Sequence, residues 1–439
     1  MPEPREITPV PASVSAPAPE VPQAHEACEP HEPHEAREAR PPTVLVVATE
    51  WWSRHGGLST FNRELCRALA AVGAQVYCVV INATDGEIAD AQAGNVTLLC
   101  RPATPGVPEY AQLTRRPQLP NGIVPDLVIG HGRITGPAAE VLVSDYFPVA
   151  RRLHFIHTAP DEIEWHKLDR AHDAALRAEG RTEVERLLGA GAHRVVVVGP
   201  RLHNRFLREF SGMGAPDPLR IDPWFDTADP TPRTPPAGAP LNVLLVGRTE
   251  DAQLKGLDLA ARACGKVAVW RENARVSPIS LLVRGAPRDA ATDQREQLLS
   301  WAANPRLDVM VRPLSSDQQR LAADMTRSSL VIMPSRSEGF GLVGAEAITM
   351  GVPTLVSEAS GLADFLREKL DGETAARVVV PMSGDDDEDT ARWARAIDAV
   401  MNDRPSAFRR AAELRNALAG KATWADAAAK LLGEAAGRG

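Results

Sequence analysis

Short, unbroken apolar runs recur along this chain and set its pattern. In the first half they are Thr43–Ala48, Gln75–Val80, Val96–Cys100, Asp126–Gly130, Leu153–His157 and Arg194–Val198. In the second they are Asn242–Val246, Ile279–Arg284, Val309–Arg312, Leu330–Met333, Thr354–Ser357 and Arg377–Val380. They are rich in Val, Ile and Leu and do not alternate with polar residues, which predicts strands buried on both faces. Between them the period lengthens. Leu58, Phe61, Leu65, Leu69 and Val72 recur every three or four residues, so Ser59–Val72 is expected to be an amphipathic helix stopped by Gly73. Gly256–Ala263 and Leu342–Met350 are further helical candidates.

Strand and helix in alternation imply α/β architecture with parallel sheets and right-handed crossovers. Two such series predict two facing Rossmann-like domains, whose ligands bind beyond the carboxyl ends of the strands. The length of 439 residues suits two domains with appendages. The 37 prolines sharpen the division, because 11 lie in residues 1–42 and eight in residues 216–240. The expected order is a disordered acidic tail (1–42), a first domain (43–215), a linker or hinge (216–240) and a second domain (241–439).

Charge and cysteines narrow the class. Residues 1–42 hold eight Glu against three Arg and so carry −5 of the net −8. The near-neutral remainder argues against a nucleic-acid binder. Five cysteines without CxxC spacing argue against a disulfide framework or a zinc site. No apolar run is long enough to span a bilayer, and no signal-like start is seen. A reduced, cytoplasmic setting is expected.

Three strand-to-helix loops carry candidate chemistry. The first, Glu50-Trp51-Trp52-Ser53-Arg54-His55-Gly56-Gly57, places paired glycines before a helix, where backbone can approach an anion, though a simple tight turn accounts for it equally well. The second runs from Gly247-Arg248 to Lys255-Gly256. Two cations there suit a diphosphate, but the spacing is no Walker A, and a pair of solvated surface cations is the plainer reading. The third, Pro334 to Glu346, holds Glu338 just past a strand and Glu346 inside the next helix, separated by the amides of Gly339–Val343. An elongated ligand could set sugar hydroxyls on Glu338, phosphates on the amides and ribose hydroxyls on Glu346. The helix dipole alone would explain Glu338. It does not explain Glu346, which falls beside Val343 and Ala347.

These residues carry a resemblance. Glu338 and Glu346 match the E-x7-E motif of retaining GT-B glycosyltransferases, and PSRSEGFGLVGAEAITMGVPTLVS resembles the signature of glycosyltransferase family 4. GRTEDAQLKG, GGLSTFNRELCRALAAVGAQVYCVV, DLVIGHGRITG and HFIHTAPDEIEWHK resemble further segments of that family, in its order, over about residues 43–435. The resemblance implies a GT-B fold with a C-terminal helix crossing back to the first domain. It implies a retaining enzyme moving a hexosyl group from a nucleotide-sugar, with a UDP-sugar expected, to an unknown acceptor, with no cofactor or metal required. Arg248 and Lys255 would hold the donor diphosphate. Glu338 would contact the sugar beside Gly339, Phe340 and Gly341, with Leu342 and Val343 continuing the amide row, and Glu346 would hold the ribose. Arg284, Gly285, Arg312 and Leu314 would flank the base. Gly56 and Gly57 would approach the phosphates, and His157 would lie near the reacting centre, with His131 a weaker candidate. A nucleotide-sugar hydrolase and a non-catalytic sugar-nucleotide sensor are the competing functions.

Other features have plainer expectations. The run Asp385–Asp389 is expected to cap a helix rather than bind a cation. His25, Cys28, His31 and His34 read as a solvated stretch more than a metal site. Arg181 and Glu185 are spaced for an intrahelical ion pair. Trp51 and Trp52 could stack on a sugar or wedge their loop, and Trp424 is expected to pack the C-terminal helix.

Overall fold

A computed structural model describes residues 40–53, 57–120, 122–166, 173–224, 231–315 and 317–435. Most of the acidic tail, with His25, Cys28, His31 and His34, lies outside the described residues, as does Gly56.

The apolar runs are strands, all paired in parallel. The first sheet contains β1 (Thr43–Val47), β2 (Gln75–Val79), β3 (Val96–Leu99), β4 (Leu127–His131), β5 (Arg151–Ile156), β6 (Arg194–Val198) and β7 (Leu219–Ile221), in the order β3-β2-β1-β4-β5-β6-β7. The second contains β8 (Leu241–Val246), β9 (Ile279–Ala286), β10 (Asp308–Pro313), β11 (Leu330–Met333), β12 (Thr354–Ser357) and β13 (Val379–Val380), in the order β10-β9-β8-β11-β12-β13. Every residue of β1, β4, β11 and β12 is buried, as helices on both faces require. In each sheet the order reverses beside the first strand, at β1/β4 and β8/β11, and the three loops with candidate chemistry emerge at those crevices.

Several details differ from the sequence reading. Part of the 216–240 segment is not connector, because Leu219–Ile221 pairs with β6 as an edge strand and Trp224 is buried. Helix α1 spans Gly57–Ala71. The helix expected over Gly256–Ala263 runs from Leu257 to Ala274, because Gly256 itself takes a left-handed φ of 67° that ends the preceding turn. Glu185 does not pair with Arg181. It binds His154 Nε2 at 2.9 Å and accepts from the Arg133 amide at 2.9 Å, while Arg181 bonds to the buried Glu164. The interior supplies a buried histidine to one carboxylate and a buried carboxylate to the other cation, which outweighs weak i,i+4 pairing. Asp385 does cap a helix, accepting from the Asp387 and Glu388 amides at 3.0 and 2.9 Å.

The halves meet over a broad contact. Arg201, on the helix after β6, bonds Asp364 at 3.1 Å and the Glu358 carbonyl at 2.8 Å, and Arg220 bonds Glu368 at 2.6 Å. A C-terminal helix, α15 (Trp424–Ala435), crosses back onto α1. Trp424 stands edge-on to Phe61 with ring centroids 5.1 Å apart, and Ala428 and Leu431 share a core with Leu65 and Leu69. Arg194 pairs with Glu434 at 3.1 Å.

Candidate active site

The loop after β8 and the loop after β11 converge. Lys255 Nζ lies 2.5 Å from Glu338 Oε2, and the Ser335 hydroxyl donates to the same oxygen at 3.4 Å. The Glu338 backbone is pinned by its amide to the Ala359 carbonyl (3.0 Å) and by its carbonyl to the Gly361 amide (3.1 Å). The carboxylate therefore projects from a fixed strand-like segment, and a flexible lysine reaches it across 83 residues of sequence.

Arg248 does not join this pair. Its guanidinium is turned onto Asp251, and the side chain is 43% exposed. Both groups are three residues apart on one short turn, so the contact is local.

Gly339 lies directly against the first half. A Cβ on it would sit 2.0 Å from the His157 carbonyl oxygen, so only glycine allows this approach. Phe340 is buried against Phe365, and Gly341 (φ 111°) opens α10, Leu342–Thr349. Leu342 faces the first half, 3.3 Å from the Cβ position of Gly57. Val343 is half-buried on the same turn. The Glu346 side chain makes no hydrogen bond or ion pair among the described residues. Part of its surface stays open, yet burial of the carboxyl pushes its pKa up to about 7, opposed by Arg63 on α1.

Arg284 and Arg312 are brought together by a residue the sequence reading missed. Asp324, 2% exposed, bonds one guanidinium with each carboxylate oxygen, and Arg284 also donates to the Pro313 carbonyl at 3.0 Å. The only sequence signal was an acid beside Leu321 and Met325 on a helical face. This cluster, Leu314 and Ser53 of the first half line an open cleft of 890 Å³. Gly285 serves packing, since a Cβ there would lie 2.0 Å from the Gly247 carbonyl.

Two histidines of the first half meet beside Gly339. His157 follows β5, and its Nε2 lies 3.0 Å from His131 Nδ1 at the end of β4. Burial lowers both pKa values, to about 3 for His131 and well below the ordinary value for His157, so both rings are neutral at pH 7. Trp51 is fully buried and Trp52 half-buried, with both indoles donating to Asp90 at 2.8 and 3.3 Å. They wedge the loop.

With this geometry in hand, the comparisons are specific. The profile of the family described as "Family 4 Glycosyltransferase in conflict systems" matches residues 45–431. The chain belongs to this family. The glycosyltransferase is 26% identical over 373 residues to a D-inositol 3-phosphate glycosyltransferase of Frankia alni, covering 79% of this chain and 86% of that one. Among solved structures it resembles sucrose-phosphate synthase from Thermosynechococcus elongatus (TM-score 0.63, 19% identity, 90% of this chain and 98% of the other). It also resembles the catalytic domain of starch synthase IV from Arabidopsis thaliana, solved bound to ADP and acarbose (TM-score 0.60, 14% identity, 91% and 99%). At these identities the structural likeness speaks for the fold, which is GT-B. Among its described residues the glycosyltransferase has no helix long and apolar enough to cross a membrane.

Proposed function

We propose that this glycosyltransferase moves a hexosyl group from a nucleotide-sugar, a UDP-sugar by preference, to its acceptor with retention and without a metal ion, and that it works in the cytoplasm. The observation that carries the reading is the Lys255–Glu338 contact, which joins the loop suited to a diphosphate with the loop suited to a sugar. The structurally similar starch synthase domain was solved bound to ADP, which supports a nucleotide-linked donor.

In this reading the donor diphosphate lies against Lys255 and the amides of Gly339–Val343, where fixed positive charge stabilises the departing nucleotide. Arg248 exchanges Asp251 for a phosphate oxygen when the donor arrives. Glu338 takes sugar hydroxyls, Glu346 the ribose, and the Arg284–Asp324–Arg312 cluster with Leu314 the base. His157, Gly56 and Gly57 complete the site from the first half. Attack on the same face as departure proceeds through an oxocarbenium-like state, with the leaving phosphate helping to deprotonate the acceptor. Closure of the halves about their connection excludes water.

A panel of nucleotide-sugars, with and without acceptors that include D-inositol 3-phosphate, tests this by nucleotide release. Transfer predicts release that depends on acceptor and a product anomer matching the donor, unaffected by a chelator. Release without acceptor marks a hydrolase, and tight binding without turnover marks a sensor. Lys255→Ala and Glu338→Ala should each lose most activity. Equal rates in both variants and the parent would overturn the site.

A further inference from the structure

Behind His157 stands a buried polar chain of His131, Asn62 and two thiols. His131, 2% exposed, turns its Nε2 to Asn62 Oδ1 at 3.1 Å, and Asn62 on α1 is fully buried. Two thiols orient that amide. Asn62 Nδ2 donates to Cys78 Sγ at 3.5 Å, and the Cys66 thiol points at Oδ1 from 3.8 Å. Burial pushes the Cys66 thiol up, so it keeps the proton it directs at Asn62.

The protons along the chain then follow from donor and acceptor counting. A carbonyl oxygen has no proton to give, so His131 must carry its proton on Nε2 and donate it to Asn62. A neutral imidazole holds one ring proton, which leaves His131 Nδ1 as a bare lone pair. His157 Nε2, 3.0 Å away, must therefore donate to it. His157 Nδ1 is left without a proton. That atom has no hydrogen-bond partner among the described residues, and it is not among the buried polar atoms, so it opens to solvent. Phe61, 4.8 Å from His157 and 6.2 Å from His131 between centroids, and Phe155, 5.2 Å from His131, hold the rings in place.

The geometry points to Asn62 and His131 as positioning residues that fix the tautomer of His157, so that its Nδ1 is presented as an acceptor for a substrate hydroxyl. This rests on the glycosyl-transfer reading only for what the hydroxyl belongs to. A carbohydrate hydroxyl can donate or accept; a ring nitrogen locked as an acceptor takes its proton, whereas an N–H at the same place would bind its oxygen instead. Because both histidines are neutral, their hydrogen-bond partners decide which ring nitrogen carries the proton.

The test reads the tautomer directly. Two-bond 1H–15N correlation spectra of the full chain, with His157 assigned from a His157→Gln variant, should show the Nε2–H form in the parent. Asn62→Leu removes the acceptor and should populate the Nδ1–H form. It should also lower kcat by about tenfold or more, within the range of proton-positioning effects, while donor KM stays within about threefold. Asn62→Asp keeps an acceptor and should keep the parent tautomer and most of kcat. His131→Phe preserves the aromatic packing and serves if Asn62→Leu does not fold. An unchanged His157 tautomer in Asn62→Leu or His131→Phe overturns the proposal. So does an equal loss of kcat in Asn62→Asp and Asn62→Leu. If the parent turns over no nucleotide-sugar, the transfer reading fails while the spectra still decide the relay.

Discussion

Replacing Gly339 by alanine tests whether the contact between the halves is part of the active arrangement. The new Cβ would fall 2.0 Å from the His157 carbonyl oxygen, and real Cβ atoms stay at least 3.0 Å from their neighbours. The obstacle is backbone, so no side chain can rotate out of the way. Gly339 and His157 must part by about 1 Å. As overpacking, this costs about 1–3 kcal/mol, which in a chain of this length moves Tm by only a few degrees. The same 1 Å separates the Glu338 loop from the His157 loop, and misplacement on that scale costs about 100-fold in rate. Initial rates of nucleotide release at saturating donor, beside a thermal melt, give both quantities. The expected outcome is a folded protein with a large loss in kcat. A Gly339→Ala variant with kcat within threefold of the parent and an unchanged Tm would refute the idea that this contact sets the working geometry.

Three further substitutions probe the rest of the site and its frame. Burial raises the Glu346 pKa to about 7 from 4.5, so the fold prefers the protonated form and loses stability as pH rises through 7. Glu346→Gln should therefore match the parent in thermal melts at pH 4 and exceed it at pH 8, with a ceiling of about 3 kcal/mol that water reaching the carboxyl lowers; donor KM of the parent should rise as pH falls through 7, when the carboxylate is lost. Asp324→Ala leaves Arg284 and Arg312 without their shared counter-charge and should cost about 3–5 kcal/mol in denaturant titrations, with weaker nucleotide binding. Gly180 lies within the helix Ala174–Ala190 with open space around its Cβ position, so Gly180→Ala should stabilise by about 0.4–1 kcal/mol and leave kcat unchanged.

The sheets were legible because strands covered on both faces must be continuously apolar, and Thr43–Val47 or Leu330–Met333 can hardly be anything else. Strand β7 was not, because the four residues between Pro218 and Pro223 leave no periodicity to read, and its place depends on an open edge of β6. The Glu338 and Lys255 loops were found from their position after strands and from their likeness to a family, and the structure brings those two side chains together. Asn62 and Asp324 went unnoticed for a shared physical reason. Each sits on a helix whose visible signal is its apolar stripe, and the meaning of a polar residue in that stripe depends on partners from remote strands. For Asn62 the partner is 69 residues away. Glu185 shows the converse error, in which a plausible neighbour four residues off concealed a buried histidine 31 residues away.

The return of α15 onto α1 has a consequence for how the protein is made. Phe61, Leu65 and Leu69 share a core with Trp424, Ala428 and Leu431, so a helix near the start of the described chain waits for one near its close. At a synthesis rate of about 5–20 residues per second, the interval from Ala71 to Trp424 lasts on the order of 20–70 s. Throughout that time the first sheet can form while the surface of α1 that packs on α15 stays uncovered, an adhesive surface on a nascent chain. The arrival of Trp424–Ala435, rather than completion of either sheet, is then the event that seals the enzyme. A chain cut before Trp424 would keep both sheets and carry that surface permanently.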